Sequence, residues 1–192
     1  ALGNRACIAS LELPAWVTGR RLMRQAAGKG EFQDEREMRD TLSWLGDNVF
    51  IVDREGKHLD IDAILDIFKY SHRRYGVKHF ALDNLSMLAV SEESLDQQVK
   101  LIVKLVDWAQ KTNSHLHVVA HPRKGGGGDG KGFKNAEYNP PRKNDIRGSG
   151  QYGNLVHNVV VQWRNLEKQD KLRELNQSGA PLQQIIDYRQ EE

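Results

Sequence analysis

"VKHFALDNLSML", Val77 to Leu88, decides how this chain is read. An apolar run climbs to Leu82 and stops at a carboxylate, Asp83. Taken alone, an acid behind a buried strand serves as well for a turn residue or a helix cap as for chemistry. Its neighbours decide between the two. Upstream, "DIDAILDIFKYSHRRYG", 60–76, spaces Ile61, Ile64, Leu65 and Phe68 along one helical face and stops at Gly76. Downstream, "SLDQQVKLIVKLVDWAQKTN" predicts a longer helix, and "HLHVVA", 115–120, predicts another short strand. The run at Val77 is therefore one strand in an alternating series.

The series extends in both directions. "RACIASLEL" is a short apolar run that carries Glu12 at its end, and Pro14 then breaks the pattern. "AWVTGRRLMRQAAG" and "DEREMRDTLSWLG" have helical spacing, with Gly28 and Gly46 as the expected stops. "NVFIVD" predicts the second strand and "NVVVQWRN", 158–165, a fifth. From Leu166 the chain is polar and weakly helical, with a break at "NQSGAP". Strands alternating with helices of this length predict an α/β fold, a mostly parallel sheet flanked by helices on both faces. The expected division is one domain over 1–165 and a polar, helical tail over 166–192.

With 192 residues and 39% hydrophobic content, the chain suffices for one globular core. Its single cysteine, Cys7, excludes an internal disulfide and fits a reducing compartment. No apolar run approaches the roughly 20 residues of a membrane helix. Charge is local: from His121 to Gly150 seven basic residues oppose three acidic ones, seven minus three giving +4, whereas the whole chain carries +2. A nearly neutral protein with one basic segment points to an anionic partner met at that segment.

In an open parallel sheet, ligands gather at the carboxyl ends of the strands. Glu12 ends the first strand, Asp83 ends the third, and His121 follows the fourth. Turn chemistry does not require a glutamate, an aspartate and a histidine together. A divalent cation on a phosphate needs carboxylate or water-borne oxygen. Attack by water needs a carboxylate base, and a nearby histidine can sense the terminal phosphate. Together these residue types suit nucleoside triphosphate hydrolysis. A metal-dependent nuclease using Asp83 and Glu12 is a further alternative.

The segment after His121, "HPRKGGGGDGKGFKNAEYNPPRK", spreads point charges at Lys124, Lys131, Lys134, Arg142 and Lys143 along a glycine-rich backbone. Such a segment suits a nucleic-acid backbone, and Phe133 and Tyr138 suit stacking on bases. As bland alternatives, its lysines confer only solubility, His115 and His117 are packing or surface residues, and Trp16, Trp44, Trp108 and Trp163 pack in the core or at interfaces.

"VKHFALDNLSML", a helix, "HLHVVAHPRK", a basic loop and "NDIRGSG" together resemble the motor domain of the DnaB-like replicative helicases, in particular the phage and Twinkle-type branch. The resemblance runs from about Ala6 to Asn165. It implies a RecA-like fold of the P-loop NTPase type, an ATP-dependent DNA helicase, and ATP or another nucleoside triphosphate with Mg2+ as cofactors. As partners it implies single-stranded DNA, a ring-shaped homo-hexamer and a fused or separate primase. It also implies a cytoplasmic location in a bacterial or phage-infected cell rather than a mitochondrial matrix. By position, Asp83 is similar to the acid that orients magnesium, Glu12 to the glutamate that activates water, and His121 to the polar sensor of the terminal phosphate. Arg123 falls near a basic residue that reports nucleotide state. Lys124, Lys131, Lys134, Arg142, Lys143 and Arg147 fall in segments that face DNA in the family.

The departures are equally specific. The chain contains no G-x-x-x-x-G-K-[ST] phosphate loop. In the family that loop precedes the Ala6 strand, so the resemblance implies an N-terminally truncated motor, inactive on its own. "GGGGDGKGF" is no substitute, since it lacks the following Ser or Thr. The alternative to a motor is a non-catalytic RecA-like module that binds DNA or a replication partner.

Overall fold

The computed structural model describes residues 5–88, 95–122, 142–146, 152–184 and 186. Four strands, β1 (Ala6–Ser10), β2 (Val49–Ile51), β3 (His79–Asp83) and β4 (His115–Val118), form one parallel sheet in the order β2-β1-β3-β4. The register pairs Cys7 with Phe50 and Phe80, and Leu82 with Ala9 and Val118. Parallel neighbours need crossovers, here supplied by α1 (Ala15–Ala27), α2 (Glu35–Asn48), α3 (Ile61–Tyr75) and α4 (Leu95–Lys111).

Helix ends follow local chemistry. The Asp34 carboxylate accepts from Glu37 N at 2.7 Å and the Asp60 carboxylate from Ala63 N at 2.8 Å, which satisfies donors the first turn leaves open. Gly76 ends α3 at φ 66°, a left-handed conformation in which a Cβ is strained, and its N–H returns to His72 O at 3.1 Å. Gly46 does not stop α2, contrary to the sequence expectation. The helix runs on to Asn48, whose side chain donates to Trp44 O at 2.7 Å while Val49 N reaches Leu45 O. A glycine inside a helix weakens it without ending it.

One face of the sheet carries Cys7, Ala9, Phe80 and Leu82, all buried with Ile64, Leu65 and Phe68 of α3 and Leu101, Leu105 and Trp108 of α4. Phe68, Phe80 and Trp108 interlock, with ring centroids 4.8 Å apart for both Phe80 pairs and 5.7 Å for the third. Each fully buried aromatic there contributes about 1.5–3 kcal/mol relative to exposure. Burial pushes the Cys7 thiol pKa upward, against a smaller opposing effect of the Ser71 hydroxyl, which donates to Sγ at 3.7 Å. On the opposite face α1 lies over β2, where Gly19 approaches Ile51 Cδ1. The β3–β4 half of that face presents His79, His115 and His117 and stays open among the described residues.

The expected fifth strand is not formed. The residues 158–165 pair with no strand, and Val160 is 91% exposed. β-branched side chains supply propensity, but a strand requires a ladder partner and a face to bury. Before it lies the short helix α5 (Tyr152–Leu155) and after it α6 (Leu166–Gln177). Tyr152 anchors α5 by donating from its buried hydroxyl to Gln98 Oε1 at 2.9 Å. Trp108 is buried, whereas Trp16 and Trp44 are exposed. No helix of the described residues is long and apolar enough to cross a membrane.

Candidate active site

The parallel register brings the carboxyl ends of β1, β3 and β4 onto one rim. Ser10 pairs with Asp83, and Leu11 N donates to Asp83 O, so Glu12 leaves β1 beside the end of β3. Val119 N donates to Leu82 O at 2.9 Å and Leu85 N to Val119 O at 3.0 Å, which ties the start of the His121 segment to the same place. Of the sequence-predicted residues, Glu12 and His121 meet directly: Oε1 lies 3.4 Å from Nε2. Their side chains are 41% and 52% exposed, so water and a soluble ligand reach both. Asp83 is half-buried, and among the described residues its carboxylate has no hydrogen-bond or ion-pair partner.

Asn84 and Ser86, which the sequence reading did not single out, complete the cluster. Asn84 is fully buried. Its Nδ2 donates to Glu12 Oε1 and lies 2.8 Å from His121 Nε2. Its Oδ1 accepts from Ser86 N at 3.0 Å and from the Ser86 hydroxyl. The sequence signal was Asn-x-Ser behind a strand, which local chemistry reads as a simple turn. The long-range partners, 72 and 37 residues away, leave no local mark.

The basic residues divide into two sets. Arg142 and Lys143 are exposed and open a single tight turn, held where Arg142 N donates to the Asp145 carboxylate at 2.6 Å. An antiparallel bridge between Pro122 and Ile146 sets this turn beside the residue that follows His121. The Lys143 stem crosses α5 at Gly153, where a Cβ would stand 2.5 Å from Lys143 Cε, so any larger residue there displaces the lysine. Arg123, Lys124, Lys131, Lys134 and Arg147 lie outside the described residues, as do Phe133 and Tyr138.

The second histidine group lies on the open face. The His115 and His117 ring centroids are 4.4 Å apart and those of His79 and His115 6.0 Å. Burial, and then the neighbouring His115 and His79, lower the His117 pKa. Among the described residues no three His, Cys, Asp or Glu side chains converge to hold a metal ion. The rim donors suit magnesium, which takes one or two carboxylates and keeps water and phosphate oxygens for the rest of its shell. Asp83, oxygen-bearing and unpaired among the described residues, fits that demand.

Sheet, rim and helices define an α/β domain built on a four-stranded parallel sheet. No family model matches the sequence, and no curated protein matches it. Among solved structures the chain is similar to an ATPase domain, with a TM-score of 0.58 and 16% identity over 80% of this chain. It spans 57% of that solved chain's length.

Proposed function

We propose that this chain is the part of an ATP-dependent DNA helicase motor that senses and hydrolyses the nucleotide. The observation that carries the reading is the meeting of Glu12 and His121 at 3.4 Å, on the rim where Asp83 ends β3. In this reading Glu12 takes a proton from the attacking water, and its exposure leaves room for that water. His121 contacts the terminal phosphate. Asp83 would hold magnesium, through water, and when bound the ion neutralises charge developing on the phosphate oxygens. Arg123 reports nucleotide state. Lys124, Lys131, Lys134, Arg142, Lys143 and Arg147 contact single-stranded DNA in the channel of a homo-hexamer, and the Pro122–Ile146 bridge couples the Arg142–Lys143 turn to the rim. A primase, fused or separate, and a cytoplasmic site of action belong to the same reading.

The test is nucleotide hydrolysis by the full-length gene product, with and without single-stranded DNA. Glu12→Gln lowers the stimulated rate by about 10²–10⁴-fold, the usual contribution of a general base. A rate undiminished in the variant removes Glu12 from that role. The competing reading, a module that binds DNA without turnover, is favoured by the lack of a G-x-x-x-x-G-K-[ST] motif in these 192 residues. It requires salt-sensitive DNA binding with no stimulated hydrolysis by the full-length product.

A further inference from the structure

We infer that Asn84 is a positioning residue, whose buried carboxamide locks the neutral His121 ring into the tautomer protonated at Nδ1 and holds Glu12 beside it. The argument is one of donors and acceptors. The Ser86 backbone N–H can only donate, so the Asn84 atom 3.0 Å away must be the carbonyl oxygen. That fixes the amide against a flip and leaves its NH2 facing Glu12 and His121. An amide NH2 carries two hydrogens and accepts nothing. The atom it meets at 2.8 Å, His121 Nε2, must therefore offer a lone pair, and the ring proton resides on Nδ1. The 3.4 Å contact between Nε2 and Glu12 Oε1 is then no hydrogen bond: two acceptors share one donor group.

Two consequences follow for the chemistry. The neutral ring has one proton to offer a phosphate, at Nδ1, so His121 donates from the nitrogen that faces away from Glu12. Glu12 cannot shift without disturbing the amide that also holds His121. Because Asn84 is fully buried and pinned at its oxygen, the disturbance passes through one rigid group. The tautomer rests on geometry alone; the catalytic consequence rests on the hydrolytic reading above.

The experiment is nitrogen NMR of the 192-residue protein with labelled histidines at pH 8, above the ordinary imidazole range. His121→Gln identifies the His121 signals. The expected result is a bare Nε2 and a protonated Nδ1. Ser86→Ala keeps the backbone donor and leaves that pattern unchanged, whereas Asn84→Ala releases the ring to the mixed tautomers of a solvated imidazole. A ring protonated at Nε2 in the unmodified protein overturns the inference without any variant having to fold. So does a folded Asn84→Ala that retains the Nδ1 proton. In the full-length product, Asn84→Ala lowers kcat between about ten- and a hundredfold with little change in KM, as misplacement of a reacting group does. An unchanged kcat, beside a Glu12→Gln variant that is inactive, removes the positioning role and leaves the hydrolytic reading standing. An active Glu12→Gln removes that reading and leaves the tautomer intact.

Discussion

His117 and His121 stand four positions apart on one short segment, yet they meet opposite surroundings. His121 lies past the end of β4, against a buried amide whose orientation is fixed by the backbone. His117 lies within β4 on the open face, with other imidazoles as its ring neighbours. At the rim a directed donor settles which nitrogen is protonated. On the open face partial burial and like neighbours bear on whether the ring is protonated at all. The residue type is the same; the partner chemistry fixes the orientation of one ring and lowers the pKa of the other.

The sharpest way to break this contrast is through stability. Asn84→Leu keeps the branched shape but forces larger apolar bulk into a fully buried position and removes the amide's hydrogen bonds, and costs about 1–3 kcal/mol, the usual penalty for overpacking a core site. His117→Gln, on the exposed side, stays within about 0.5 kcal/mol. Urea unfolding at neutral pH measures both, and equal costs for the two would erase the distinction.

A pH series sharpens it. The folded His117 pKa lies below its ordinary 6.5, which the unfolded chain retains. Between those two values the unfolded state holds a proton that the folded state lacks, so stability falls as pH drops through that window. Urea midpoints taken across it show this slope, and His117→Gln flattens it. The smallest effect belongs to His115→Gln, which removes one like neighbour of His117. It moves the His117 titration, followed by proton NMR, upward toward 6.5, while the unfolding midpoint at about pH 8, above the imidazole range, stays in place.

The fold was legible where local chemistry coincides with global demand. Asp34 and Asp60 announce helix starts because their carboxylates cap the very N–H groups the next turn leaves open. The runs at Ala6, Val49, His79 and His115 announce strands because short apolar stretches set between helical segments read as members of a parallel sheet, of which β1 and β3 are the inner strands. Gly46 and the valines at 159–161 misled for the same reason: propensity acts on single residues, whereas a helix continues, or a strand pairs, according to what packs nearby. In the candidate site, Glu12, Asp83 and His121 were legible from their places at strand ends. Asn84 was not, since its two chief partners arrive from β1 and from beyond β4, and only the register of the sheet brings them within reach.

The interlocked rings of Phe68, Phe80 and Trp108 also give the molecule an internal light source. Trp108 is 6% exposed and its indole N–H finds no acceptor among the described residues, while Trp16 and Trp44 stand 67% and 47% in solvent. Iodide in the buffer therefore darkens the latter two and spares the first. In a Trp163→Phe background the blue-shifted glow that remains follows the joint between α3, β3 and α4, a few residues along the strand from the rim that Asp83 closes.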